Sequence, residues 1–439
     1  MATAKSYKII TLGCKVNQYE SAYLNEEFIN AGWRHAGKDE KAHVAIINTC
    51  IVTQKASRQS RQAIRKAVRE NPNGMIAAIG CYPQVFQEEL SGIEGVGLIA
   101  GNVEKDRIME LVLQAERSGQ RTVVLNDFAP GMPFAPLLIK KFSDRTRAYL
   151  KIQDGCRAFC SYCIVPFARG PYRSLPSFHL LSMMETLAKG GCREIVLTGI
   201  HLGKYGVDLK GGMTLNRLLR AIGREKFPLR VRLSSLEPNE IDQELIEMAG
   251  AEKWLCRHFH IPLQSGNDGI LKKMKRNYTA YKSAKLIKRI HEKIPFAAIG
   301  IDLMAGFPGE DDAAHKDTFS LIKDLPVSYL HVFPFSPRPG TAASAFDGQV
   351  APETIKERAE ELRILGQGKR TLFYQGCLKK EFSVLAEGWY SEKEKIMKGI
   401  SDNYLPVLFP SSRDSKNQLV PLRMERLEKN MVLGSKAGV

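Results

Sequence analysis

The chain has 439 residues, which is too long for one ordinary core, and its 64 Lys and Arg against 47 Asp and Glu leave a formal net charge of +17. This surplus favours a polyanionic partner, nucleic acid before membrane. A run of about 18 apolar residues is absent, and the polar N-terminus argues against a signal peptide. Nine cysteines without a disulfide framework indicate a reducing compartment, so we expect a cytoplasmic protein without membrane contact.

The first 125 residues alternate short apolar runs with helical patterns, which predicts a parallel sheet with crossover helices. The predicted strands are residues 7–12, 44–47, 75–79 and 96–99, and the main predicted helices are residues 18–30 and 54–70.

One cysteine follows each of the first three predicted strands. They are Cys14 in TLGCKVNQYES, Cys50 in NTCIVT and Cys81 in AIGCYPQ. Because the carboxyl ends of parallel strands meet at one edge of a sheet, the three thiols should gather there. Buried cysteines that act only as small hydrophobic residues are the alternative. The pattern favours a three-cysteine metal site.

The predicted helix 54–70 carries four arginines at spacings of 3, 4 and 4. They are Arg58, Arg61, Arg65 and Arg69. This spacing places four guanidinium groups on one helical face, where they could bind RNA phosphates. A solvated basic face with no ligand is the alternative.

A proline-rich segment, residues 126–141, breaks both periodicities and predicts a linker between domains. A strand then leads into KIQDGCRAFCSYCIVPFARG, in which Cys156, Cys160 and Cys163 form CxxxCxxC. Structural zinc sites use four closed ligands, and the loop offers no fourth Cys or His. Three thiolates from one loop suit an iron–sulfur cube with one open iron.

From this loop to about residue 335, six strand–helix units predict an open partial barrel whose site lies at the carboxyl ends of its strands. The loops at those ends are polar or glycine-rich, and they include residues 198–203, Glu237 and His260. A basic run, Lys272, Lys273, Lys275 and Arg276, is predicted to extend the positive surface. A long helix over 354–375 and five short strands after it predict a small closed β-barrel.

The CxxxCxxC loop resembles that of the radical S-adenosylmethionine (SAM) enzymes. TLGCKVNQYES, NTCIVT and GCYPQ resemble the N-terminal domain of the methylthiotransferases, and KVNQYE is most similar to the tRNA enzymes that act on N6-threonylcarbamoyladenosine. The resemblance covers essentially the whole chain. It implies an α/β fold with a parallel-sheet domain (1–125), a radical SAM partial (β/α)6 barrel (142–371) and a TRAM-like RNA-binding β-barrel (372–439).

The resemblance also implies the cofactors and their ligands. Two [4Fe–4S] clusters are expected, an auxiliary one on Cys14, Cys50 and Cys81 and a SAM-cleaving one on Cys156, Cys160 and Cys163. The expected SAM contacts are Thr198, Gly199, His201, Gly203 and Glu237. No catalytic residue beyond the cluster ligands is assigned.

The implied reaction transfers a methylthio group to C2 of N6-threonylcarbamoyladenosine next to the anticodon. The implied partners are a tRNA anticodon stem-loop, an external electron donor and a sulfur source. One alternative is a methylthiotransferase acting on another modified adenosine or on an aspartate of a ribosomal protein. Another is a non-catalytic iron–sulfur protein that binds RNA.

Overall fold

The structure is a computed structural model, and it describes residues 5–37, 39–140 and 146–436. The last residue of the predicted linker, Lys141, and the predicted domain limits at residues 1, 142 and 439 lie outside the described residues. The proposed division into three domains therefore stays a prediction.

The N-terminal region contains an all-parallel sheet, as the sequence predicted, but with six strands instead of the four predicted. Its strands are β1 (Ser6–Thr11), β2 (Arg34–His35), β3 (Val44–Thr49), β4 (Met75–Gly80), β5 (Val96–Ala100) and β6 (Thr122–Val124), in the order β2-β1-β3-β4-β5-β6. The helices are α1 (Lys15–Asn30), α2 (Gln54–Glu70), α3 (Cys81–Val85), α4 (Gln87–Ser91) and α5 (Ile108–Ser118). Every residue of β3 is buried, which explains why its sequence is one continuous apolar run with a polar end.

Six parallel strands in chain order form the central region. They are β7 (Arg147–Asp154), β9 (Glu194–Gly199), β10 (Arg230–Leu233), β11 (His258–Gln264), β12 (Ala298–Ala305) and β13 (Tyr329–Pro334), with the short β8 (Arg173–Ser174) antiparallel to β7. The helices are α6 (Val165–Arg169), α7 (Ser177–Lys189), α8 (Leu215–Glu225), α9 (Gln243–Ala251), α10 (Asp268–Lys273), α11 (Ala280–Lys293), α12 (Asp312–Asp324) and α13 (Pro352–Gly376). A bridge between Val231 and Leu255 joins the β10-β9-β7 and β11-β12-β13 segments. The predicted open barrel of six strand–helix units is confirmed.

Five further strands close into a small barrel, which confirms the predicted C-terminal architecture. They are β14 (Glu381–Ser391), β15 (Ile396–Ser401), β16 (Pro406–Pro410), β17 (Leu419–Glu428) and β18 (Met431–Lys436), in the order β14-β15-β16-β18-β17. Its identity as a TRAM-like domain stays a prediction. Across the described residues, no helix is both long and apolar enough to cross a membrane.

The C-terminal barrel docks on two buried arginines of β10. Nε of Arg230 lies 2.6 Å from Glu194 and Nε of Arg232 lies 2.8 Å from the same carboxylate. The remaining donors reach backbone carbonyl oxygens of the C-terminal barrel, those of Ser383, Ile400, Ser401 and Asp402. Burial alone would raise the pKa of Glu194, but the nearby arginines lower it to about 2. Glu194 therefore holds both arginines charged and aimed at the interface.

Glu194→Gln is expected to lower the free energy of unfolding at pH 7 by about 3 kcal/mol, because it leaves two buried guanidinium groups without a counter-charge. The folded-state pKa lies below the ordinary value, so the stabilisation is complete above pH 4.5 and is lost as the pH falls towards 2. The free energies of unfolding of wild type and variant, measured in urea, should therefore become equal as the pH approaches 2. Glu185→Gln, which removes an exposed pair with Lys189, is the control and should cost about 0.5 kcal/mol or less.

Candidate functional site

The first three cysteines lie at the carboxyl edge of the N-terminal sheet, and we call them the N-terminal triad (Cys14, Cys50 and Cys81). They follow β1, β3 and β4, which are neighbours in the sheet. A Cβ at Gly13, whose φ is +90°, would lie only 2.7 Å from the sulfur of Cys50. A glycine before Cys14 thus lets the first cysteine loop close over the second. The structure brings these thiols together as the strand pattern predicts.

The other three cysteines, which we call the loop triad (Cys156, Cys160 and Cys163), lie between β7 and α6. The backbone N–H of Cys163 donates to the carbonyl oxygen of Cys160 at 2.9 Å. Nδ1 of His201 lies 3.5 Å from the sulfur of Cys156, and Nη1 of Arg276 lies 3.3 Å from that of Cys160. Two side chains from distant elements therefore contact the loop triad.

A short chain of charged groups runs beside the loop triad. Nε2 of His201 lies 2.7 Å from Glu240 and 4.0 Å from Glu237, and Arg276 donates to Glu237 at 2.7 Å. Burial lowers the pKa of His201, but hydrogen bonds to Cys156 and Glu240 and the two carboxylate charges outweigh it and raise the pKa to about 9. His201 is therefore an imidazolium at neutral pH, held between a thiol and a carboxylate.

The five predicted SAM contacts fall into two groups. His201 and Glu237 lie beside the loop triad. Thr198 is buried within β9, Gly199 ends that strand against the side chain of Gln153, and a Cβ at Gly203 would overlap the carboxylate of Glu240. Packing of protein side chains alone accounts for the glycine at 203. Contact of any of the five with SAM stays a prediction.

The number and type of ligands in each triad suit a cluster better than a single zinc ion. A structural zinc site uses four closed ligands, whereas each triad offers three thiols, which suit an iron–sulfur cube with one open iron. Within the described chain, a separate group without cysteine, His260, Asp302 and His331, places three possible ligand atoms within 4.8 Å of one another.

Burial raises the pKa of Cys50 and of Cys163 to about 12 each. Both are therefore neutral thiols at pH 7 when no metal is bound. Because a cluster binds the thiolate, loading must release protons from both triads.

A buried contact connects the N-terminal triad to α6, the helix that follows the loop triad. Tyr82 and Cys81 on α3 pack in the same apolar cluster as Ile164 and Ala168, which lie at α6. Nδ2 of Asn102 lies 3.4 Å from the sulfur of Cys81 and donates to the carbonyl oxygen of Ala168 at 2.7 Å. One amide therefore links a cysteine of the N-terminal triad to the helix that follows the loop triad.

A buried charge network lies beside both triads. Its members are Glu20, Lys105, Lys151, Asp154, Arg169 and Arg173, all with at most 7% of the side chain exposed. Glu20 lies 3.1 Å from both Lys105 and Lys151, and it also pairs with Arg169. Arg169 donates to Asn17 at 2.6 Å, and Asn17 lies three residues after Cys14.

The network carries four cations and two carboxylates, so two positive charges remain uncompensated by its own members. Nε of Arg169 and Nη1 of Arg173 have no hydrogen-bond partner among the described residues. Burial raises the pKa of Glu20, but Arg169, Lys105 and Lys151 lower it well below its usual range. An iron–sulfur cube held by three thiolates is anionic, so this surplus fits clusters at both triads.

The four predicted RNA-binding arginines are not equivalent. Arg58, Arg65 and Arg69 are exposed on α2. Arg61 instead donates to the hydroxyl of Tyr82 at 2.6 Å and to the carboxylate of Glu89 at 2.8 Å. The arginine face predicted from the spacing therefore contains three exposed guanidinium groups and one that is already paired.

The position of Arg276 corrects the sequence prediction. The basic run from Lys272 suggested a surface residue, but only 6% of the Arg276 side chain is exposed, and it lies against Cys160. The sequence also gave no role to Glu240, Asn102 or the charge network. One signal was available: Lys151 and Asp154 are charged residues at buried positions of β7, next to the apolar run at residues 148–150.

Comparison with known proteins matches both triads to described families. Residues 6–101 match Uncharacterized protein family UPF0004, and residues 150–322 match the Radical SAM superfamily. The chain is 35% identical to threonylcarbamoyladenosine tRNA methylthiotransferase MtaB of Bacillus subtilis (strain 168), over 94% of this chain and 92% of that protein. This chain belongs to the radical SAM tRNA methylthiotransferase family.

One further relative agrees with this assignment, and a solved structure shares the fold. The tRNA-2-methylthio-N(6)-dimethylallyladenosine synthase of Fusobacterium nucleatum is 31% identical over 96% of this chain and 97% of its own length. The radical S-adenosylmethionine methyltransferase TsrM from Kitasatospora setae has the same fold, with a TM-score of 0.56 at 16% identity over 78% of this chain and 74% of that one. The predicted family and enzyme class are confirmed. The methylthiotransferase therefore uses SAM and a [4Fe–4S] cluster and acts on tRNA.

Proposed function

We propose that this methylthiotransferase modifies C2 of N6-threonylcarbamoyladenosine next to the anticodon, and that the N-terminal triad holds a second [4Fe–4S] cluster. The observation that carries the proposal is that Asn102 links Cys81 of the N-terminal triad to α6, the helix that directly follows the loop triad. A reaction that both activates a carbon and delivers sulfur to it needs two centres close to one substrate. The base is supported by KVNQYE after Cys14 and by the 35% identity to relatives named for threonylcarbamoyladenosine.

The loop triad would hold the SAM-binding cluster, and the N-terminal triad the sulfur-carrying one. Together they would supply one-electron chemistry and a methylthio group that no side chain can provide. Arg276 would position Glu237 and stabilise negative charge at Cys160. His201 would stabilise negative charge at Cys156, and its hydrogen bond to Glu240 would keep the imidazole protonated. An external electron donor and sulfur source complete the proposal.

The substrate base must leave the stack of the anticodon loop to reach the space between the triads. We propose that the C-terminal barrel assists by binding the RNA, as a TRAM-like domain would. Its fixed docking on Arg230 and Arg232 keeps that RNA surface at a constant position relative to the triads.

The test is anaerobic reconstitution with iron and sulfide of wild type and of the variant Cys14→Ala/Cys50→Ala/Cys81→Ala. Wild type should hold about eight irons and the variant about four. Both should cleave SAM, but only wild type should add a methylthio group to tRNA, as seen by mass spectrometry of the nucleosides. Equal iron content in the two proteins would contradict the second cluster.

The substrate base is tested separately, with tRNA that contains N6-threonylcarbamoyladenosine and tRNA that contains N6-dimethylallyladenosine. Modification of the first alone is the expected result. Modification of the second alone would retain the two-cluster mechanism and overturn the base assignment.

A further inference from the structure

A basic cavity lies between α2 and the segment that follows β13. Its volume is about 560 Å³, and the charged residues lining it are Lys55, Arg58, Arg61, Glu89 and Arg338. The segment is fixed to the start of α2: the N–H of Gln54 donates to the hydroxyl of Ser336 at 3.0 Å. The cavity is thus built by the N-terminal region and the open barrel together.

Arg338 is the unusual member of this lining. The residue is 3% exposed, its Nη2 donates to the hydroxyl of Ser57 at 2.8 Å, and its guanidinium lies 5.3 Å from the ring centre of Phe86. Its Nε has no hydrogen-bond partner, and none of its contacts in the described chain is an ion pair. A buried cation without a counter-ion is costly, so an anion at this place would stabilise it.

The charged residues that line the cavity leave a surplus of positive charge. Glu89 is paired with Arg61, which removes one positive and one negative charge. Lys55, Arg58 and Arg338 remain, and none forms an ion pair with a described carboxylate. The N-terminus of α2, capped by Thr53, adds the positive end of a helix dipole. Three cations and a helix terminus therefore converge on one cavity.

The cavity also lies close to the N-terminal triad. The hydroxyl of Ser60 on α2 accepts from the backbone N–H of Cys50 at 3.1 Å and donates to its carbonyl oxygen at 2.9 Å. The helix that forms the cavity wall is therefore joined directly to a cysteine of the triad. An RNA whose base reaches the N-terminal triad would therefore bring its backbone near this cavity.

We propose that this cavity binds a backbone phosphate of the RNA substrate, with Arg338 as its buried cation and Arg58 and Lys55 at its mouth. The inference rests on the proposed function, since it takes the RNA as the ligand. Inorganic phosphate shares the same chemistry and is the alternative source of the anion.

The test measures binding of a synthetic anticodon stem-loop RNA to the reconstituted full-length protein by fluorescence anisotropy over a series of KCl concentrations. Arg58→Met should weaken binding roughly tenfold and lower the slope of log Kd against log salt by about 1. Arg117→Met is the control. It removes an exposed arginine in the last turn of α5, outside the cavity, and it should change neither quantity.

Equal effects of the two substitutions would overturn the proposal, because they would indicate that RNA binding depends on the general positive charge of the surface and not on this cavity. Two results together would overturn the proposal in favour of a site for free phosphate. Inorganic phosphate would stabilise the protein against urea unfolding at constant ionic strength, and Arg58→Met would bind the RNA as tightly as wild type. A separate measurement distinguishes failure of this phosphate site from failure of the proposed function. It is mass spectrometry of the nucleosides of tRNA that has been treated with the wild-type enzyme. An unmodified tRNA together with the Arg58-dependent slope would refute the reaction and retain the subsite.

Discussion

Glu20→Gln is expected to lower the free energy of unfolding of the metal-free protein by about 3–5 kcal/mol, because the carboxylate is the shared partner of three buried cations. Without it, Arg169, Lys105 and Lys151 would retain only Asp154 as a counter-charge in the network. Urea unfolding at pH 7 gives the measurement. A loss below about 1 kcal/mol would show that the network does not depend on Glu20.

The same variant tests whether the network faces anionic clusters. After reconstitution, cluster charge should replace part of the lost carboxylate, so the stability difference between wild type and Glu20→Gln should be smaller than in the metal-free proteins. The matched control is Glu70→Gln, which removes an exposed pair with Lys66 on α2. It should cost about 0.5 kcal/mol or less in both states. An unchanged or larger difference after loading would contradict the charge argument.

Arg276→Met is expected to reduce SAM cleavage roughly 100-fold, since it removes the guanidinium that contacts Cys160 and leaves Glu237 without its partner. The loop-triad cluster should also change its reduction potential and its electron paramagnetic resonance signal. Under the proposed two-cluster assignment, iron bound at the N-terminal triad should be retained. Cleavage of SAM at the wild-type rate would refute the positioning role.

Two further variants separate charge from geometry at this position. Arg276→Lys keeps a positive charge but loses the planar guanidinium group. Its cluster reduction potential should therefore lie closer to the wild-type value than its rate of SAM cleavage does. Lys272→Met removes an exposed charge from the same basic run and should change neither. A loss in Lys272→Met equal to that in Arg276→Met would point to the general charge of the run.

The sequence was sufficient where a local pattern decides the outcome. β3 is buried throughout and therefore appears as one apolar run, and parallel neighbours bring Cys50 and Cys81 to the same edge. The five C-terminal strands were recognisable between turn signals, although β17 extends six residues past its predicted end at residue 422. The strands β2 and β6 were missed because two or three residues carry no periodicity.

The sequence was insufficient where partners lie far apart along the chain. Glu20 and Arg169 are separated by 149 residues, and no periodic pattern connects them. Arg276 lies in a lysine-rich run, so only the tertiary fold shows that its side chain turns inward. Gly203 suggested room for a ligand, whereas its neighbour is the Glu240 carboxylate. These errors share one cause, since a long side chain is placed by what it meets in the fold.

The docking of the C-terminal barrel has an evolutionary consequence. Arg230 and Arg232 donate to backbone carbonyl oxygens, which every amino acid possesses. Side chains of the barrel add to this attachment, since Asp402 pairs with Arg257 at 2.7 Å and Glu387 pairs with Arg147 at 3.1 Å. Substitutions away from these contacts can accumulate while the attachment persists, whereas changes at Asp402 or Glu387 should weaken it. The same catalytic core can thus be retained while the rest of the attached module changes.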